Sequence, residues 1–133
     1  ARLYDTRPDS IAAQLARRDA TGIYSDWLHV VLDSYHDRRT AFRFSINPKG
    51  VQKDVRHFDD TNEDLLWDAV WQVETMVDSL GWTAEYRIPR SQLRYATRSA
   101  ARAAARRPGA GPADTLPAPR VWGLQVARDV ARA

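Results

Sequence analysis

The sequence predicts an all-β fold, an antiparallel β-sandwich with one short helix, on two observations. Apolar and polar residues alternate over several segments of about eight residues. Turn signals separate those segments at intervals of roughly 8 to 14 residues, the rhythm of short strands joined by hairpins. At 133 residues the chain can bury one core but not two.

The elements follow in order. Arg2-Leu3-Tyr4 reads as a short strand. TRPDSIAAQLARRD, residues 6–19, predicts the helix: Asp9 or Ser10 caps it, Ile11, Ala12 and Leu15 form its apolar stripe, and Arg17 and Arg18 suit its C-terminus. DWLHVVLD, residues 26–33, alternates, with Leu28, Val30 and Leu32 on one face and Trp27, His29 and Val31 on the other. SYHDRRT is a polar turn. TAFRFSIN, residues 40–47, sets Phe42, Phe44 and Ile46 against Ala41, Arg43 and Ser45. Asn47-Pro48-Lys49-Gly50 turns the chain, and VQKDVRHF, residues 51–58, returns it as a hairpin strand.

An acidic loop, DDTNEDLL, comes next. WDAVWQVETMVD, residues 67–78, suits a helix by propensity, but Trp71, Val73, Thr75 and Val77 share a parity and favour a strand. Asp78 to Gly81 forms a hairpin turn into GWTAEYRI, where Trp82, Tyr86 and Ile88 face the core and Glu85 and Arg87 face away. Pro89 cannot donate to a ladder and ends that strand, so SQL begins a turn or short helix. RVWGLQVARDV, residues 120–130, is a last strand with Trp122, Leu124 and Val126 inward. One domain therefore comprises residues 1–96 and 120–133. Residues 97–119, rich in Ala, Arg, Pro and Gly, are an insertion expected to be disordered.

Composition narrows the function classes. The hydrophobic share of 44% and charged share of 28% are ordinary for a globular domain. No apolar run approaches the ~18 residues of a membrane-spanning helix, so direct membrane insertion of this segment is not expected. Without cysteine there is no disulfide framework and no thiolate chemistry. The chain opens on Ala1 with no initiator Met, as expected of a module cut from a longer protein. The net charge of +3 is uneven: residues 59–78 hold seven acids and no Lys or Arg, whereas RSAARAAARR holds four Arg and no acid. A basic surface spread over the fold does not follow, and no nucleic-acid partner is predicted.

Few residues have the spacing that chemistry demands. No Ser stands in a nucleophile-elbow pattern, no Gly-rich phosphate loop is present, and the three His lack zinc spacing. A glycosidase needs two carboxylates facing each other across a sugar-sized cleft, and most of the acids lie in one loop. No catalytic residue is therefore predicted. Asp59, Asp60, Asn62 and Asp64 offer hard oxygen ligands of the kind Ca²⁺ takes, though not with EF-hand spacing, and a solvated acidic loop is the simpler account of them. Asp33 and Asp37, flanking a tight turn, are a second such pair. The five Trp are a dense set. Trp82 and Trp122 are in phase with aliphatic neighbours, as core residues are, but Trp27 is out of phase with its own and shares a face with His29. Sugars are held by aromatic platforms and a few polar groups, and Trp27, His29, Arg43, Glu85, Arg87 and Gln125 supply both. A second buried layer, or pairing of Glu85 with an Arg across strands, uses the same residues.

SDWLHVVLDSYHDRRTAFRFSINPKGVQKD, WDAVWQV, GWTAEYRIPRSQLRY and VWGLQVARD, in that order, resemble the family 9-like carbohydrate-binding domain. That domain stands at the N-terminus of bacterial envelope proteins, ahead of an uncharacterised region like an outer-membrane β-barrel. The resemblance covers nearly all of residues 1–95 and resumes over 120–130. It implies a sandwich that binds oligosaccharide or polysaccharide without catalysis, in an exported protein of the periplasm, outer membrane or medium, linked to polysaccharide breakdown. It also implies that the rest of a larger envelope protein is the domain's partner. Family 9 modules of xylanases clamp a sugar end between two Trp and carry structural Ca²⁺; Trp71 and Trp122 are nearest to that pair by order along the chain. Ser34 and Arg90 stand where relatives usually have Pro and an apolar residue. The family's first strands would precede Ala1, so an open sheet edge and a partly uncovered core are expected. The alternatives are a structural or interaction domain of an outer-membrane protein, or a domain of a glycoside hydrolase. An exposed Trp among polar groups on a concave face would favour sugar binding, and burial of every Trp would favour the structural role.

Overall fold

The computed structural model describes residues 1–94 and 121–133. The insertion predicted over 97–119 lies outside the described residues. Among the described residues eight strands form two antiparallel sheets: β1 (Arg2–Tyr4), β2 (Trp27–Asp33), β3 (Ala41–Ile46), β4 (Gln52–Phe58), β5 (Asn62–Asp64), β6 (Gln72–Asp78), β7 (Gly81–Arg87) and β8 (Gly123–Asp129). The smaller sheet has the order β1-β7-β6 and the larger β5-β4-β3-β2-β8. The fold is an all-β sandwich.

Alternation builds the layer between the sheets. The inward residues of β3 are Phe42, Phe44 and Ile46, all buried, and they meet two clusters. Leu28 and Ile46 pack with Leu3, Ile11, Trp82 and Ala84 beneath β1 and β7. Phe42 and Phe44 pack with Ala69, Trp71 and Leu93, loop residues that close the other end. Tyr86 joins the two clusters: its ring stacks on Trp71 at 5.5 Å and its hydroxyl donates to the Leu28 carbonyl at 3.0 Å. Burial pushes that phenol above its ordinary value. The NPKG turn is secured by Asn47, fully buried, whose Oδ1 accepts from the Lys49 and Val51 amides and whose Nδ2 donates to the Gln14 carbonyl.

Three expectations are corrected. Residues 6–19 form no α-helix, only a 3-10 turn at Pro8–Ser10. Ile11 and Ala12 are buried but Leu15 is 75% exposed, so the three do not form one buried stripe. The segment instead spends its backbone groups on distant strands, as in Ala12 N to Ala131 O at 3.0 Å and Asp19 N to Gln52 O at 3.0 Å. Non-local bonds outweigh a weak local propensity. Second, Leu124 and Val126 on β8 are 67% and 57% exposed. Their parity is the inward one, opposite Leu32 and Val30, but among the described residues nothing covers the edge of the larger sheet there. Third, Glu85 stands opposite Glu74 and not an Arg, and it makes no ion pair among the described residues. In addition, the strand expected over 67–78 begins only at Gln72, and the acidic loop contains the short strand β5.

Candidate functional site

The outer face of the larger sheet is set by the same alternation that fills the core. Residues opposite the buried Phe and Leu series form rows across the strands. Ala127, His29, Ser45 and Lys53 are one row; Gln125, Val31, Arg43 and Val55 are the next. Small residues, among them Ala127, Ser45, Ala41 and Gly123, leave the middle of this face low. Larger groups rise around it: Trp27 at one end and the 38–40 turn at the other. The result is an open groove of about 790 Å³. At Gly123 a methyl group would sit 3.1 Å from Asp33 Cβ, a tight contact that the Asp33 side chain would have to relieve.

Trp27 is 8% exposed, and its ring lies nearly parallel to His29 at 6.5 Å between centroids. Lys53 Nζ stands 5.6 Å from the Trp27 ring, within cation–π reach. His29 is held at both nitrogens: Nδ1 is 2.7 Å from Ser45 Oγ and Nε2 is 3.0 Å from Asp129 Oδ2. These groups have the composition of a nucleophilic triad. However, Ser45 is only 3% exposed and lies inside a central strand, where both ladders occupy the neighbouring backbone amides, so no oxyanion site adjoins it. The series orients His29 and does not present a nucleophile.

Charges in the groove are partly committed. Arg43 Nη1 meets Glu63 at 3.2 Å, and its Nε is buried with no acceptor among the described residues. His57, beside them, is held below its ordinary value by burial and by the Arg43 charge, with Glu63 opposing. Asp33 accepts the Asp37 and Arg38 amides at 3.3 and 2.9 Å. Asp37 is likewise a turn cap, accepting the Arg39 and Thr40 amides at 2.8 Å. Burial alone would raise the Asp37 carboxyl, but these hydrogen bonds outweigh it and hold it low.

The predicted site residues divide. Trp27, His29, Arg43 and Gln125 line one groove. Glu85 and Arg87 lie exposed on the smaller sheet, away from it. Trp71 is buried between the sheets, its Nε1 donating to Asp54 Oδ1 at 3.3 Å, and half-buried Trp122 packs against the same cluster. They do not form an open clamp. Asp59 pairs with Arg39 at 3.1 Å and Asp64 with Arg56 at 2.8 Å, and the carboxylates of Asp59, Asp60 and Asp64 do not converge as Ca²⁺ ligands would. Among the described residues the acids that do converge are Asp19, Asp54 and Asp68, and the Arg18 guanidinium already sits among them: it meets Asp68 at 2.9 Å and Asp19 at 3.3 Å, and bonds to Asp54. Sequence reasoning missed Lys53, Ser45 and Asp129 as groove residues; parity with Arg43 and Gln125 was the available signal for Ser45 and Asp129, whereas Lys53 is placed only by the register of β4 with β3.

Comparison of the chain with protein-family models, with curated proteins and with solved structures finds no match. The class that fold and site define is a β-sandwich domain with an open, polar groove on the outer face of its larger sheet.

Proposed function

We propose that the chain is a non-catalytic carbohydrate-binding domain of the family 9-like type, belonging to an exported bacterial envelope or secreted protein, with the saccharide held in the outer groove. The observation that carries this reading is convergence. Trp27, His29, Arg43 and Gln125, scattered over a hundred residues of sequence, line one concave face with Ser45 and Lys53. An apolar ring surrounded by amide, hydroxyl and cationic groups matches the two sides of a sugar, its C–H faces and its hydroxyls. Asp33 and Asp129 are engaged as hydrogen-bond acceptors, which favours binding over hydrolysis. The envelope location rests on the sequence resemblance; among the described residues no helix is long and apolar enough to cross a membrane.

The test is a glycan array, followed by titration with xylo- and cello-oligosaccharides monitored by Trp fluorescence. Saturable quenching that Trp27→Phe abolishes supports the reading, and silence toward every saccharide refutes it. Among the described residues the acids that converge already hold the Arg18 guanidinium, so EDTA is expected to leave the melting temperature unchanged. A clear drop would show that a bound divalent ion stabilises the fold after all.

A structural or assembly domain of an envelope protein is the second reading. It is favoured by the exposed apolar pair Leu124 and Val126 on an edge strand, and by the absence of any exposed Trp.

A further inference from the structure

The groove carries a cationic bias beside its apolar ring. Lys53 is half-buried on β4, and the groove's ion pairs leave it without a carboxylate partner among the described residues. Ser45 is registered with Lys53 and Arg43 with Val55, so Arg43 and Lys53 are diagonal neighbours on one face, about 7–8 Å apart along the sheet. Arg43 meets a single carboxylate, that of Glu63, and among the described residues its Nε has no acceptor. The nearby acid Asp129 is taken by His29, and Asp33 by backbone amides. Lys53 thus stands beside Trp27 with Arg43 one diagonal step further along the same face, and of the acids lining the groove Asp129 and Asp33 are engaged, while Asp60 lies at the far end, where its amide bonds the Arg39 carbonyl of the turn.

We infer that the saccharide taken by this groove is acidic, a uronic-acid oligosaccharide, with its carboxylate on Lys53 and Arg43 and its ring on Trp27. The inference rests on the carbohydrate-binding reading above. Lys53 links the two contacts. In the free protein its ammonium covers the indole, attracted by the ring's negative face. A ligand carboxylate offers that cation a stronger partner, draws it aside and uncovers the indole for stacking. The low exposure of Trp27 is then cover by a movable side chain as well as packing. A neutral sugar has to displace the same cation and gives it nothing in return.

The experiment titrates the whole chain with oligogalacturonate, with xylo-oligosaccharide of equal length and with acetate, by Trp fluorescence at low and near-physiological ionic strength. Lys53→Ala is measured alongside, with its melting curve as the check on folding. Oligogalacturonate is expected to bind about tenfold or more tighter than the neutral chain, as one charge-assisted contact provides, and to weaken with salt. Lys53→Ala is expected to lower affinity for the uronate and raise it for the neutral sugar. Equal, salt-independent affinity for both, or a Lys53→Ala variant that weakens both alike, overturns the acidic assignment and leaves carbohydrate binding standing. Acetate competing as strongly as the uronate reduces the site to a simple anion site and overturns the saccharide assignment. No response to any sugar overturns both.

Discussion

Asp26 has a fully buried side chain and Asp5 one that is 1% exposed, and Arg128, from the far end of the chain, reaches both. Arg128 Nε and Nη2 donate to the two Asp26 oxygens at 3.0 and 2.6 Å, Nη2 also meets Asp5 at 2.9 Å, and Arg132 adds a contact to Asp5 at 2.5 Å. A buried carboxylate is tolerable only while so compensated. Arg128→Ala is therefore expected to cost about 3–5 kcal/mol in urea unfolding, chiefly from the stranded Asp26. Arg128→Lys recovers little of it, because a point charge cannot make the forked contact. Arg132 first, then the Arg7 amide, hold the Asp5 carboxyl at about 2, below its ordinary 3.8. Its folded value is depressed, so its contribution is complete above about pH 3.8 and is lost as pH falls toward 2. The destabilisation caused by Asp5→Asn should shrink over that window in melting curves taken against pH. A penalty constant down to pH 2 would contradict the assignment.

At the scale of elements, the β6–β7 hairpin depends on one residue without a side chain. Gly81 has φ of +133°, and a Cβ there would fall 2.0 Å from the Leu3 carbonyl oxygen and 3.0 Å from the Asp5 amide. Gly81→Ala must push β1 off the sheet edge, so it is expected to cost more than the ~1–3 kcal/mol of a strained backbone alone. Amide exchange should accelerate in β1 while β3 stays protected. The strands β2, β3, β4 and β7 were legible in the sequence, because alternation is a period-two signal that burial of one face enforces. The same signal put Trp27, His29 and Arg43 on the face away from Phe42 and Leu28. It could not say what lies above a face, so Leu124 and Val126, with inward parity, turned out exposed. The helix over 6–19 failed for a related reason: its stripe of Ile11, Ala12 and Leu15 is too thin to hold a helix against hydrogen bonds offered by β4 and the C-terminal segment. Nothing in the sequence singles out Lys53, since only the register of β3 with β4 brings it to Trp27's side of the groove.

Taken whole, the molecule assigns different work to its two sheets. The smaller one, with Trp82 and Ala84 pointing inward, seals part of the core and leaves its own outer face with Glu85 beside Glu74. The larger one buries Phe42, Phe44 and Ile46 on one side and keeps the other side for a groove of small and polar residues. A fold that spends one face on stability can vary the other without losing its core, which is how a rigid sheet comes to carry a recognition surface. The central claim is that this outer face is where saccharide binds, and amide chemical-shift mapping during titration with acidic and neutral oligosaccharides tests it most directly. Perturbations are expected on the outward residues of β2, β3, β4 and β8, centred on His29, Arg43, Lys53 and Gln125, with the Trp27 indole signal moving alongside them. Shifts confined to the smaller sheet around Glu85 and Arg87, or a spectrum that no saccharide alters, would contradict it.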